Sequence, residues 1–508
     1  MSKMSHPTLP FPEAIEKQLK NCGLDTAVVA RHRKNVLLHL SADSPRHFPI
    51  LDTCRLDNGG IRRLPTQKVS PRDRKSIVGF VPAAGASSRY LAPVISLMEA
   101  VTTRNMEACR QELDLLRSTS FLDCPLPASI KDLVALLGTP AKIIPEELAH
   151  RVISELESPK ALYPISLDGT TFLAMKSAEH QAMERLSGQV FICPPLYADR
   201  FLTHLNQVSN KNSRLKIRIY EQDVSLATTR FDAQGSVSVD HQGQVSTVPS
   251  GHGALLELMP RVTQDFEGAR GIFIRNIDNV SGTFRAPNEA SQLFLDAFSW
   301  TLGQMDELRQ SVIKNDLPCN ALIANKILDF WGQAPEAPDN AVFTLLTSLF
   351  HATPESINLD LKTVIQRPLV IMGQVPNTAH DIGGTCVFTN VDGHPQKLCL
   401  EVPHASSSDR ANFLENPAKA THFNPVFVAS EIPTAEGLKA WNGNPFWLIA
   451  KKHWRGSESY YQESILYEML GSSHYVNLIF VEVPRLVFNP HKTLKDAALR
   501  AKGDWGLE

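Results

Sequence analysis

Apolar and polar positions follow two rhythms along this chain. Short apolar runs that stop at small residues or proline predict buried strands: Ser76–Val81 (SIVGFV), Gln189–Cys193, Leu215–Glu221, Gly271–Arg275, Leu369–Val375, Leu398–Val402 and Val476–Val483. Longer stretches between them carry apolar residues three and four apart, the spacing of one helix face. These predict helices over Ala14–Cys22, Ala27–Leu38, most of 92–157, Tyr197–Ser209 and Glu289–Lys314. Strands alternating with helices imply an α/β protein with a mixed sheet and helices on both faces.

The same pattern divides the chain. A helical N-terminal region spans 1–75 and ends in the polar, proline-containing stretch Gln67–Lys75, which predicts an exposed linker. A core follows over 76–300, with a helical insertion at 92–157. A helical connector covers 301–365, and a second sheet with the C-terminal region covers 366–508. Ligands of such sheets bind beyond the C-terminal ends of the strands, so chemistry is sought in the loops that follow apolar runs.

Composition narrows the classes. The chain has 508 residues, 43% hydrophobic and 20% charged, the balance of a globular protein. Lys and Arg total 51 against 53 Asp and Glu, so net charge gives no support to a basic nucleic-acid binder. No apolar run approaches the roughly 18 residues of a membrane helix. The start, MSKMSHPTLPFPEA, lacks the apolar core of a secretion signal. The eight cysteines form no CxxC pair and have no zinc-like spacing. They read as reduced thiols of a cytoplasmic protein.

Two loops stand out. After the first strand comes Pro-Ala-Ala-Gly-Ala-Ser-Ser-Arg (82–89). Small side chains at Ala84, Gly85 and Ser88 let backbone N–H groups approach phosphate oxygens, and Arg89 adds a fork of donors. The same residues also suit an ordinary strand–helix turn. The second loop is Ser158-Pro-Lys-Ala-Leu-Tyr-Pro-Ile165. Its prolines predict an extended, rigid backbone that aims Lys160 at a fixed point; a solvated lysine in a turn fits the segment as well.

Together the loops resemble the signature of the sugar-nucleotide pyrophosphorylases, in which a small-residue loop ending in Thr/Ser-Arg is followed by Pro-Lys-x-Leu-x-Pro-Ile/Val. Here 92–157 separates the two halves, and the resemblance implies that their ends meet in space. Further segments follow in the order shown by UDP-sugar and UDP-N-acetylhexosamine pyrophosphorylases. By that resemblance Gln222 and the backbone at Gly251 and His252 would read the base, Asp278 in Ile-Asp-Asn would hold Mg²⁺, and Glu401 and Asn424 would contact the sugar. Lys451 or Lys452 in WLIAKKHWRG, with Lys452 favoured, would supply a second cation at the phosphates. Most of the chain also resembles an uncharacterised bacterial family catalogued as a domain of unknown function, number 4301, through Pro82–Tyr90, Pro159–Ile165, Gly383–Gly393, Ala420–Pro425 and Phe480–Thr493.

The resemblance implies a nucleotidyltransferase-like (Rossmann-like) fold and a Mg²⁺-dependent reaction joining a sugar 1-phosphate to UTP, with release of pyrophosphate. Departures from the pattern are Ala84 and Ser87 at positions often glycine, and Tyr163 in a slot usually filled by a smaller aliphatic. They motivate a rival: a protein on the same fold that binds a nucleotide or nucleotide-sugar without turning it over. A third possibility is an assembly protein that uses the 92–157 insertion as its contact surface.

Overall fold

The structure is a computed structural model. It describes residues 11–41, 48–67, 69, 76–85, 90–102, 105–118, 124–137, 145–208, 214–239, 243–281, 284–352, 361–378, 383–391, 394–434, 448–454, 457–493 and 496. The chain forms two compact units, each discontinuous in sequence. The smaller comprises 76–221, 272–296 and 483–508; the larger comprises 1–75, 222–271 and 297–482.

The smaller unit is built on parallel strands. Ser76–Pro82 pairs with Leu186–Cys193, which pairs with Lys216–Glu221. The first two are buried along almost their whole length, as strands covered on both faces are, and the one buried polar side chain, Gln189, donates to Ser177 Oγ at 2.9 Å. Lys216–Glu221 alternates between exposed and half-buried residues up to Tyr220, which is fully buried. Ala269–Arg275, whose end falls in this unit, borders Ser76–Pro82.

The described residues of the insertion form the helices Ala92–Thr102, Met106–Ser118, Ala128–Leu137 and Glu146–Glu157. Leu97, Leu116, Leu133 and Val152 share one core with Val81, Tyr163, Phe172 and Phe191. The insertion therefore packs as part of the unit.

The larger unit carries a second strand set. Leu369–Pro376 runs parallel to Asn477–Glu482 and antiparallel to Phe427–Glu431. A three-stranded antiparallel sheet joins Ile50–Thr53, Thr385–Val391 and His394–Leu400. The N-terminal helices Glu13–Asn21 and Thr26–Leu40 bury Leu19, Val29 and Val36 with Phe231, Ile449 and Tyr460. All eight cysteines are free thiols. No helix among the described residues is long and apolar enough to cross a membrane.

Candidate functional site

The small-residue loop begins where the Ser76–Pro82 strand ends. Ala84 keeps an ordinary φ, so its Cβ imposes no backbone strain, contrary to the concern its departure from glycine raises. Gly85 also lies outside the left-handed region. Among the described residues, a Cβ built on Gly85 meets no atom within 4 Å. Packing thus gives no reason for glycine here. Ser87, Ser88 and Arg89 lie outside the described residues.

The Pro-Lys loop meets this one directly. The Lys160 N–H donates to the Gly85 carbonyl at 3.1 Å. Lys160 does not sit on extended backbone as expected. Pro159 has an extended φ and ψ, but Lys160–Leu162 then form a single 3₁₀ turn. The prolines fix only their own φ and bias the residue before them, which leaves 160–162 free to coil. Tyr163 is fully buried, and its hydroxyl donates at 2.5 Å to the Glu155 carbonyl on the last insertion helix. The larger side chain thus ties the turn to the insertion. Thr171 then caps the Phe172–Ala182 helix, its Oγ1 accepting from Ala174 N–H.

Lys160 is buried, 7% exposed. Its ammonium stands 3.4 Å from Asp278 Oδ2 and donates to the His491 carbonyl. It also lies 4.9 Å from the Tyr90 ring centroid and 5.1 Å from that of Phe172. Two aromatic faces hold a cation in a low-dielectric setting where its field reaches further than in water. Asp278 follows the strand end at Arg275, in the turn Asn276–Asn279, and its side chain keeps 23% of its exposure.

Beneath that turn is a buried charge cluster that the sequence did not announce. Lys176 bonds Glu179 at 3.2 Å and the Asn279 carbonyl; Arg275 bonds Glu179 and, at 3.0 Å, the Val487 carbonyl. Glu179 also accepts the Ser281 N–H at 3.1 Å. All three side chains are fully buried. Burial, reinforced by Arg275, pushes the Lys176 amine down to about 7. Burial opposes ionisation of Glu179, but Arg275 and Lys176 outweigh it and hold its carboxyl below the usual range. Beside them His180 is buried against Gly79 and pushed down to about 3, by burial first and then by Lys176.

The remaining expected residues fall in the larger unit. Gln222 is half-buried and directly follows the Lys216–Glu221 strand. Gly251 has φ +95°, and a Cβ there would overlap the Ser464 carbonyl oxygen. Gly253 N–H donates to that same oxygen at 3.0 Å, and Ser464 N–H donates to the Ser250 carbonyl at 2.6 Å. The Ser-Gly-His-Gly turn is therefore pinned to the chain's own backbone, with His252 exposed on it.

Glu401 follows the His394–Leu400 strand and is half-buried; its N–H donates to His404 Nδ1 at 3.1 Å. Asn424 is fully buried. Its Nδ2 donates to the Gly373 carbonyl at 2.7 Å, and its Oδ1 accepts from Val426 N–H and the Tyr467 hydroxyl, both at 2.9 Å. Lys452 lies in the strand Leu448–Trp454, opposite Ser459. The neighbouring Lys451 is exposed and paired with Glu458 at 2.6 Å.

The structure thus brings Gly85, Lys160 and Asp278 together within one unit. His491 joins them unannounced. It contributes backbone atoms, which leave no side-chain signature, and the only sequence signal was its place in FNPHKT.

The profile described as "Domain of unknown function (DUF4301)" matches residues 190–502, more than half of the chain. The chain belongs to the DUF4301 family. That match takes in Asp278 and His491 of this DUF4301 protein and begins after Lys160. No curated protein matches it. Among solved structures, the protein is similar to UDP-glucose phosphorylase from Trypanosoma brucei, at 12% identity and a TM-score of 0.51, covering 95% of this chain and 77% of that one. It is also similar to a point mutant of UDP-glucose pyrophosphorylase from Leishmania major in complex with UDP-glucose, at 13% identity and a TM-score of 0.51, covering 96% and 77%. The DUF4301 protein therefore has a nucleotidyltransferase-like α/β fold.

Proposed function

We propose that this protein is a nucleotidyltransferase that joins a sugar 1-phosphate to UTP and releases pyrophosphate. The observation that carries the reading is the convergence of Gly85 and Asp278, which follow adjacent strands, on Lys160, on a fold shared with two UDP-glucose-processing enzymes. A glycine that packing does not require, an aromatic-flanked lysine and a partly exposed carboxylate are the parts a triphosphate site needs. The sugar phosphate oxygen would attack the nucleotide α-phosphorus in line, and pyrophosphate would leave. Such a displacement needs no covalent intermediate, so the protein's work is positioning and charge neutralisation. Lys160, with Arg89 and Lys452 as further candidates, would neutralise charge that builds on the phosphates.

Asp278 fits a Mg²⁺ ion in one specific way. Its oxygens are hard donors at a partly exposed strand end, but no cluster of three or more His, Cys, Asp or Glu residues suited to a metal occurs among the described residues. One carboxylate matches a Mg²⁺ that arrives on nucleotide phosphates rather than a standing metal centre. When bound there, the ion would neutralise phosphate charge.

Gln222 would read the base, with UTP preferred, and Glu401 would face the sugar. The test is a pyrophosphate-release screen of four nucleoside triphosphates with Mg²⁺ against a panel of sugar 1-phosphates. Release with one triphosphate and one sugar class supports the reading. The engagement of Asn424 and Gly251 by the chain itself favours a second reading, a nucleotide-binding protein without turnover. Calorimetric binding of UTP or a UDP-sugar with no pyrophosphate release would select it.

A further inference from the structure

The segment that returns from Val487 to His491 touches the candidate site at every second residue. Asn489 N–H donates to Asn279 Oδ1 at 2.8 Å, and Asn489 Nδ2 donates to the Val280 carbonyl at 2.8 Å. Val280 N–H donates back to the Asn489 carbonyl at 3.2 Å. Two residues on, His491 N–H donates to the Asp278 carbonyl at 2.9 Å, while the His491 carbonyl accepts from the Lys160 ammonium. One peptide stretch therefore holds both the cation and the residue that carries the anion. Pro490 between them has a fixed φ, which keeps the two contact points in register. Asn489 and His491 are each 1% exposed, and the His491 ring stands edge-on to Phe172, one of the two rings facing Lys160. Beyond them, Asp496 Oδ2 accepts from Lys492 N–H at 2.8 Å and Thr493 N–H at 2.7 Å, closing the strap.

We propose that residues 488–493 are a built-in wall of the phosphate site, and that Asn489 is a positioning residue that sets the Asp278 turn against Lys160. This rests on the nucleotidyl-transfer reading for what the site does, but not for what the strap holds. A strap that served stability alone would need no contact with Lys160 itself. The bonds to 278, 279, 280 and Lys160 place it on the reacting side of the strand ends. Asn489 touches no substrate in this arrangement; it acts through Asp278 and Lys160.

The test uses Asn489→Ala in the full chain, measured in two ways. In hydrogen exchange, amides of 276–281 should exchange about tenfold faster than in wild type while those of the Leu369–Pro376 strand stay unchanged. In pyrophosphate release, kcat should fall roughly 10- to 100-fold with the nucleotide KM within about threefold, and Asn489→Ala should add nothing to Lys160→Ala. If Asn489→Ala does not fold, the near-isosteric Asn489→Asp, which removes the donor to Val280 and sets a carboxyl oxygen against that carbonyl, is measured identically and should move both readouts in the same direction. Unchanged exchange at 276–281 overturns the positioning role whatever the kinetics. Losses that add to those of Lys160→Ala also overturn it, by showing that Asn489 acts elsewhere. Should wild type neither bind nor turn over any nucleotide, the functional reading fails, and the exchange measurement alone decides whether the strap sets the turn.

Discussion

The ammonium of Lys160 stands 3.4 Å from the carboxylate of Asp278, although 118 positions separate the two residues along the chain. A cation and an anion at that distance, half-withdrawn from water, stabilise each other while a third charge is absent. On the proposed reading, a triphosphate carrying Mg²⁺ would offer each of them a stronger partner, and the pair would separate onto opposite signs of one ligand.

Gly85 offers the sharpest contrast between packing and function. Nothing described lies within 4 Å of a Cβ at that position, and its φ suits any residue. Gly85→Ala should leave the urea midpoint nearly unchanged, within about 0.5 kcal/mol. It should weaken nucleotide binding by roughly tenfold, about 1.4 kcal/mol, because the added methyl holds phosphate oxygens off the backbone. Calorimetry on the folded variant checks both halves.

Gly251 should behave in the opposite way. Its φ of +95° and its approach to the Ser464 carbonyl make any Cβ costly. Gly251→Ala should destabilise the protein by about 1–3 kcal/mol in urea unfolding. A fully stable variant that had lost nucleotide binding would instead assign the glycine to base recognition.

Asn424 is fully buried with protein partners on both sides of its amide. Asn424→Ala would take away the side-chain partner of the Gly373 carbonyl and of the Val426 N–H, while the Tyr467 hydroxyl keeps the backbone carbonyl of residue 424 as acceptor at 2.9 Å. The expected loss is on the order of 2–3 kcal/mol of stability, read by chemical denaturation. The folded fraction should keep its KM for sugar phosphate. A raised KM at unchanged stability would place this amide on the sugar.

Acid should act through His180. Its folded pKa is about 3 against 6.5 for the free side chain. Between those values the unfolded chain takes up a proton that the folded one refuses. Stability from this group is therefore complete above pH 6.5 and falls as pH drops, by about 1.4 kcal/mol per pH unit once well below 6.5. His180→Gln should flatten the acid limb of a stability–pH curve, and an unaltered limb would show that the ring titrates normally.

How much of this was written in the sequence depends on which atoms act. The strands are legible at 76–81, 189–193 and 369–375 because strands buried on both faces are largely apolar, and each runs on to the bounds 76–82, 186–193 and 369–376. The helices at 92–157 were visible from periodicity, but not that Leu97 and Val152 would join the core of the strands they interrupt. Lys160 and Asp278 were found as side chains in ordered motifs, and they do lie together. His491 is not legible, because its carbonyl and N–H look alike at every position, and Asn489 is not, because its side-chain amide binds the Val280 backbone, a contact that sequence spacing does not signal. Lys176, Glu179 and Arg275 were passed over because charges in a helix and at a strand end usually face water. Only the fold reveals that all three are buried.

The most direct measurement is steady-state pyrophosphate release by wild type and Lys160→Ala, with UTP, Mg²⁺ and the best sugar 1-phosphate from the screen. Removing one preorganised charge costs roughly 10²–10³ in rate. The account predicts a kcat loss of that size in a variant whose circular dichroism matches wild type. Equal turnover in the two proteins would contradict it and remove Lys160 from the reaction.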